Sequence, residues 1–348
     1  MTSVLWLNHA FSSLYNICGL LRQGVADHGL DGGLKIVVSH SNPQFVARAV
    51  ADEFFQEEGV AENEYPDWCL EKCRELGATV FWPSRGAVAL AERKADFQAR
   101  GVRLMVCASG DNLGVLNDKA AFYNRLKDSS MSLPRHRAVY RYRELFEALE
   151  EFSSNGALSC LKPCRSLYGL GFKIVSPKAD PLKAFLQSDA LHVTPGEALE
   201  RLRVSDELFP PLLVMELLSK PEYSVDCLAR GGRLLCASIR RKPLAGGQPE
   251  ILIEDGPILE VAAKLVKIFS LSYIFNLQLM GSPPKILEIN PRMAGGLYFS
   301  CLAGINYPYW ALKLALSPDG AEDPPIPPQR YDLMVSQYYQ PFVYAPGA

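Results

Sequence analysis

"KILEINPRMAGG", residues 285–296, alternates apolar and polar side chains as far as Asn290, then breaks at Pro291 and Arg292 into a run of small residues. Period-two alternation marks a strand, so Ile286, Glu288 and Asn290 share one face while Leu287 and Ile289 point the other way. Two hard oxygen donors therefore stand side by side. The preceding run "YIFNLQLM" (273–280) puts Asn276, Gln278 and Met280 on one face, and "GSPPK" between the two runs suits a turn. An antiparallel hairpin that pairs Met280 with Ile286 sets Gln278 opposite Glu288 and Asn276 opposite Asn290. Gln278, Glu288 and Asn290 form a donor set suited to a hard divalent cation that keeps water and phosphate oxygens, and nothing soft is present to prefer zinc or copper. Taken alone, E-x-N on a strand reads more readily as the polar face of a half-solvated sheet. The reading depends on what accompanies it.

Pro291 stops the ladder, and Arg292 leads into "RMAGGLYFSCLAG", a small-residue turn opening a predicted helix. A helix start exposes N–H groups to an anion, and an arginine fork grips phosphate or carboxylate through paired hydrogen bonds. The plainer alternative is that Gly295 and Gly296 only turn the chain while Arg292 pairs with an acid.

At 348 residues the chain exceeds the usual size of a single core, so two or three lobes are expected. With 48% apolar and 21% charged residues and a net charge of −2, it has no general field for nucleic acid or anionic membrane, and any phosphate must be held locally. The nine cysteines are odd in number and lack CxxC spacing, which reads as reduced, buried thiols in a cytoplasmic protein. Five scattered histidines give little support to a zinc site or a Ser/His/Asp triad. The N-terminus lacks the pattern of a signal peptide, and no apolar run has the length of a membrane span.

The first third alternates "SVLWLN", Phe11 to His28, "LKIVVSHS", "QFVARAVADEFF", "ATVFWPS", "VALAERKADFQARG" and "VRLMVCAS", apolar runs separated by helix-length patterns that predict a parallel βαβ sheet. It carries neither GxGxxG nor GxxxxGK[ST]. A helix is expected to open at Asn117 or Asp118 and to end before Pro134. Beyond it come the helix "YRELFEALEEF", a strand–loop–strand unit in "ALSCLKPCRSLYGLGFKIVS", the helix "TPGEALERLRVS" and the buried strand "FPPLLVMELL". "EYSVDCLAR" and "RLLCASIRRK" predict a hairpin turning at Gly231 and Gly232, followed by the helix "ILEVAAKLVKIFSL". "DPPIPPQR" is a semi-rigid connector.

"NDK", "LKP" followed by a loop and "GFKIV", "MELLSKPEYSVD" and "EINPR" occur in an order and spacing that resembles the ATP-grasp superfamily, closest to its carbamoyl-phosphate-synthase-like and amino-acid-ligase-like branches. The resemblance runs from Asp118 to about Ala303. It implies a mixed α/β and α+β chain of the ATP-grasp fold. Residues 1–117 would be an N-terminal βαβ domain, 118–215 a small lid subdomain, and 216–348 an antiparallel-sheet subdomain carrying the metal site.

The same resemblance implies roles. Lys119 and Lys162 are similar to the lysines that contact ATP phosphates, and the loop from Cys164 to Gly171, with Arg165, Ser166, Tyr168, Gly169 and Gly171, to the flap above them. Fewer glycines stand in this loop than the family pattern has. Glu216, Leu217 and Leu218 correspond to the segment beside adenine, and Glu222 to the acid that takes the ribose hydroxyls. Asp226 stands at an acidic position common in the family. Lys242 would face the phosphates with Arg240 and Arg241 toward substrate, and Gln278, Glu288 and Asn290 would hold Mg2+, with Mn2+ as a substitute. Arg292 would act on the transferred phosphate, while Gly295 and Gly296 suit a second substrate's carboxylate. The implied activity is an ADP-forming carboxylate–amine ligation through an acylphosphate, on amino-acid-like small molecules, with room for a homodimer. Phosphorylation of a carboxylate or carbamate without ligation, or an ATP-binding scaffold, are the alternatives.

Overall fold

The structure is a computed structural model that describes residues 2–8, 13–153, 158–166, 169–180, 191–244, 248–318, 320–338, 341 and 343–344. Phe11, expected to open the first helix, and Tyr168 of the loop lie outside the described residues.

The first sheet contains β1 (Ser3–Asn8), β2 (Leu34–His40), β3 (Glu53–Gln56), β4 (Val80–Trp82) and β5 (Arg103–Leu104) in the order β3-β2-β1-β4-β5. Every pairing in it is parallel. Such a sheet is covered on both faces, which is why β1 and β2 are near-continuous apolar runs without alternation. Trp6 of β1 stacks on Phe81 of β4 at 4.1 Å between ring centroids. "QFVARAVADEFF" is not the helix its pattern suggests: it divides into a single 3-10 turn, Val46–Ala49, and strand β3. Pairing of Glu53 to Gln56 with Val37 to His40 of β2 satisfies backbone groups at the sheet edge, and that long-range gain overrides a local helical period. "VALAERKADFQARG" likewise breaks into Ala87–Glu92 and Lys94–Ala99.

The second sheet holds β6 (His136–Val139), β7 (Ser159–Pro163), β8 (Lys173–Val175), β9 (His192–Val193) and β10 (Leu212–Glu216), ordered β6-β10-β7-β8-β9. Helix Tyr142–Ser153 buries Leu145, Ala148, Leu149 and Phe152, an i, i+3, i+4, i+7 stripe, in the same core as Val139, Leu161 and Val214. Thr194 starts helix Pro195–Arg201 with a reciprocal capping box to Glu197.

The third sheet consists of β11 (Glu222–Arg230), β12 (Arg233–Arg241), β13 (Glu250–Ile253), β14 (Tyr273–Met280), β15 (Lys285–Asn290) and β16 (Leu333–Val335), ordered β15-β14-β11-β12-β13-β16. The hairpin β11–β12 closes at Arg230 and Arg233, and Gly231 and Gly232 both take the positive φ that this turn demands. No helix among the described residues is long and apolar enough to cross a membrane.

By packing, the chain separates into two compact units: residues 1–114, 223–278 and 289–348, and residues 115–222 with 279–288. The division expected from motif order, at 117/118 and 215/216, follows the chain. The packed units follow the cores. In the first unit, helix Leu14–His28 lies against helix Tyr307–Leu316: Asn306 donates to the Leu20 carbonyl at 2.7 Å, and Tyr309 Oη donates to that of Gly29 at 2.7 Å. The approach is so close that a Cβ on Gly24 would stand 2.4 Å from Tyr309 Cβ. One buried cluster accordingly joins Leu5, Ile36 and Val80 of the first sheet to Leu228, Ile274 and Leu312.

Candidate functional site

In the unit of residues 115–222 and 279–288, Asp118 caps helix Lys119–Leu126 by accepting from the N–H groups of Ala120 and Ala121 at 3.1 and 3.2 Å. That cap fixes where Lys119 leaves the helix. Its side chain is 12% exposed, with Nζ 3.4 Å from Glu288 Oε2 and 3.3 Å from the Ser166 carbonyl oxygen. Residues 47 and 169 positions apart in the chain from Lys119, Ser166 and Glu288, are thus brought to one ammonium group. One turn further on, Tyr123 shares Lys119's helix face, and its hydroxyl donates to the Leu287 carbonyl at 2.7 Å. Burial, reinforced by the charge of Glu288, raises the Tyr123 phenol well above its ordinary pKa and keeps this donor protonated. Sequence reasoning missed Tyr123, although its i, i+4 spacing from Lys119 was the signal available.

Lys162 stands on β7 opposite Leu213 of β10, with its ammonium 5.8 Å from the centroid of the Phe172 ring. Arg165, on the loop, donates to Asp118 Oδ2 at 3.0 Å, which ties the loop to the cap of the Lys119 helix. Gly169 and Gly171 both have positive φ, and a Cβ on Gly171 would meet Pro163 Cγ at 2.6 Å. Gly171 is therefore required by space and backbone together, while Gly169 is favoured by its left-handed backbone alone. Glu216 Oε1 accepts from Lys285 Nζ and the Arg135 N–H, each at 2.6 Å. Burial works against the charge of Glu216, but these two donors outweigh it and its pKa lies below the ordinary value. The Leu217 N–H donates to the Leu158 carbonyl at 3.0 Å, Leu218 follows it, and Glu222 opens β11 half-buried. Neither Cys160 nor Cys164 is an activated nucleophile, since burial pushes both thiols up to about 11.

The other unit carries the remaining candidates. Gln278 is half-buried on β14, whereas Asn276 on the same face is 1% exposed, so that face is closed at Asn276 and more open at Gln278. Asn290, half-buried at the end of β15, accepts from Arg292 Nη2 at 3.2 Å, and Arg292 Nη1 donates to the Met293 carbonyl at 3.2 Å. The basic cluster splits. Arg241 is exposed, and Lys242 Nζ lies 3.7 Å from Glu250 Oε1. Arg240 is 1% exposed and donates to Asp226 Oδ2 through Nε and Nη2 at 3.1 and 3.0 Å, to Ser300 Oγ at 3.0 Å, to Ser224 Oγ at 2.9 Å, and to Glu250. Burial disfavours its charge, yet Asp226 and Glu250 prevail and hold the pKa above its ordinary value. Glu250, Ser224 and Ser300 were not singled out from sequence, because nothing in their spacing links them to Arg240. Gly295 has open space around the position of a Cβ, while Gly296 lies directly against the Arg240 guanidinium. No group of three or more His, Cys, Asp or Glu suited to a metal occurs among the described residues.

A parallel sheet at the N-terminus, a predominantly antiparallel sheet toward the C-terminus and a mixed five-stranded sheet with its loop make this a protein of the ATP-grasp fold. Residues 208–341 match the family described as "ATP-grasp in the biosynthetic pathway with Ter operon". Solved structures agree on the fold. An L-amino acid ligase from Bacillus licheniformis superposes with a TM-score of 0.62 at 15% identity, over 91% of this chain and 74% of that one. N5-carboxyaminoimidazole synthetase from Staphylococcus aureus gives 0.61 at 13% identity, over 90% and 77%. The biotin carboxylase domain of the Hydrogenobacter thermophilus 2-oxoglutarate carboxylase, solved with MgADP and bicarbonate, gives 0.60 at 13% identity, over 90% and 69%. No curated protein sequence matches the chain.

Proposed function

We propose that this protein is an ATP- and Mg2+-dependent, ADP-forming carboxylate–amine ligase of the cytoplasm, acting through an acylphosphate on amino-acid-like substrates. The observation that carries the reading is the convergence on Lys119. The ammonium lies within 3.4 Å of Glu288 and 3.3 Å of the Ser166 carbonyl, joining the residues that the ATP-grasp resemblance assigns to phosphate, metal and flap. Generic surface packing has no reason to select those three.

In this reading Lys119 and Lys162 offset the growing charge on the β- and γ-phosphates, and Ser166, Gly169 and Gly171 cover them against water. Glu216 braces the segment at Leu217 and Leu218 that borders adenine, and Glu222 accepts from the ribose hydroxyls. The substrate carboxylate attacks the γ-phosphorus and ADP departs. An amine nitrogen then attacks the acyl carbon, and loss of its proton and of phosphate leaves the amide. Arg292 stabilises the transferred phosphoryl group with a planar pair of donors. Lys242 is assigned to the phosphate side, Arg241 to substrate.

One carboxylate and two amide oxygens fit a hard divalent cation that takes its other ligands from phosphate and water. Gln278, Glu288 and Asn290 would hold Mg2+, with Mn2+ as a substitute, and the bound cation would supply charge neutralisation at the phosphates.

The test is ADP release with pooled carboxylic acids and amines. Release that requires both partners is expected. Release with a carboxylate alone replaces ligation by simple phosphorylation, and nucleotide binding without release removes the enzymatic reading.

A further inference from the structure

The turn that follows Arg292 rests on a buried guanidinium. Gly296 has φ −92° and ψ 8°, a conformation open to any residue, so glycine is not required there by backbone geometry. What requires it is space. A Cβ on Gly296 would lie 2.6 Å from Arg240 Nη1 and 2.9 Å from both Cζ and Nη2. The end of an arginine side chain ordinarily yields to such a methyl group, but this one is held on every side. Asp226 accepts from two of its nitrogens, Glu250 from a third, and Ser224 and Ser300 supply further acceptors.

The same group holds the far side of the turn. Ser300, in helix Leu297–Cys301, accepts from Arg240 Nε and donates to Asp226 Oδ2 at 2.7 Å. The Phe299 ring centroid lies 6.0 Å from Arg240 Cζ. Backbone bonds from Leu297 to Ala294 and from Phe299 to Gly296 carry that support into the turn. Asn276 adds a brace from β14, donating to Ser224 Oγ at 3.0 Å and Asp226 Oδ1 at 2.8 Å.

We infer that Arg240, locked by Asp226 and Glu250, is a positioning residue that sets the turn from Pro291 to Gly296 and so the placement of Arg292, instead of a ligand for substrate. The inference rests on the ligase reading for its catalytic consequence and on geometry alone for the coupling between Arg240 and Gly296. A direct contact of Arg240 with substrate would require these acceptors to be given up inside the protein, and Arg240 would then leave Asp226 buried without its partner.

Three variants test it: Gly296→Ala, Arg240→Lys, and both together, each checked for native circular dichroism. Hydrogen exchange at the amides of residues 292–297 should accelerate about tenfold or more in each single variant, and the double variant should show less than the product of the two, because lysine removes the fork that the methyl group strikes. In turnover assays on fully folded protein, kcat should fall by about tenfold in both single variants while KM for ATP stays within about twofold. Wild-type exchange in both single variants, strictly multiplicative effects, or an unchanged kcat overturns the inference. If one single variant fails to fold, the other decides by the same readouts. Should the wild-type protein release no ADP at all, the ligase reading fails, while the exchange measurements still decide whether Arg240 supports the turn.

Discussion

Two contacts between a cation and a carboxylate, one in each unit, are built in opposite ways. The Arg240 side chain is 2% exposed, Asp226 is fully buried, and the pair is surrounded by further acceptors on Ser224, Glu250 and Ser300. The Lys119 side chain is 12% exposed, and its Nζ stands at 3.4 Å from a Glu288 side chain that is 26% exposed. A saturated buried pair holds its geometry because removing either partner strands a charge. A loose, partly solvated pair can exchange its partner for an incoming phosphate or metal at little cost. On the proposed function, the difference separates framework from chemistry more clearly than residue type, since both contacts use a basic side chain beside an acid.

The largest effect expected is therefore on stability in the first pair. Arg240→Ala should lower the unfolding free energy by about 3–5 kcal/mol in urea titrations, because Asp226 stays buried without a counter-charge. Lys119→Ala should cost under about 1 kcal/mol. Similar losses in the two variants would erase the distinction.

On the proposed function, activity should be most sensitive at Glu288 of the second pair and at Arg292, which belongs to neither pair. Glu288→Gln and Arg292→Ala are expected to reduce ADP release by about a hundredfold or more with an unchanged urea midpoint, as loss of charge stabilisation at a reacting centre does. Near-normal release in either variant would count against its assignment. Lys162→Ala should raise the ATP concentration needed for half-maximal rate, and an unaltered nucleotide response would remove Lys162 from the phosphate site.

A smaller effect lies at Tyr123. Tyr123→Phe deletes one hydrogen bond to the Leu287 carbonyl and should cost about 1 kcal/mol, with a rise in exchange at the amides that flank Glu288. If exchange there is unaffected, Tyr123 does not brace the strand.

The smallest effect concerns Glu216, whose pKa is lower in the folded chain than in the unfolded one. Its contribution is fully present above the ordinary carboxylate pKa and is lost as pH falls through the lowered native value. Glu216→Gln should consequently flatten the acid limb of the stability profile below about pH 4.5, by under about 1 kcal/mol for a group about a third exposed. Urea midpoints between pH 3 and 7 read this directly, and parallel acid limbs in the two proteins would refute it.

Much of the scaffold is legible in local signals. The Asp118 cap, the Thr194 capping box, the Gly231–Gly232 hairpin and the apolar runs of β1 and β2 all follow from rules that act over a few residues. The errors fall where distant pairing decides. Residues 44–55 have a helical period yet become a turn and an edge strand beside β2. Strands β6, β13 and β16 are short and owe their existence to the neighbours they pair with. No propensity in "HRAV" or "LMV" announces β6 or β16.

The site divides along the same line. "KILEINPRMAGG" identifies Glu288, Asn290 and Arg292 as chemically suited residues, because strand alternation and donor chemistry belong to the chain itself. Arg240, Arg241 and Lys242 look alike in sequence, and only packing separates them into one buried, one exposed and one partly exposed cation. Adjacent strand residues face opposite sides, and which side is closed depends on Asp226, Glu250 and Ser300, brought in from 14, 10 and 60 positions away. The two glycines behave likewise: the sequence by itself determined that the chain could turn at 295–296, and the tertiary structure decided that Gly296 must stay small, because a locked guanidinium occupies the space its side chain would need.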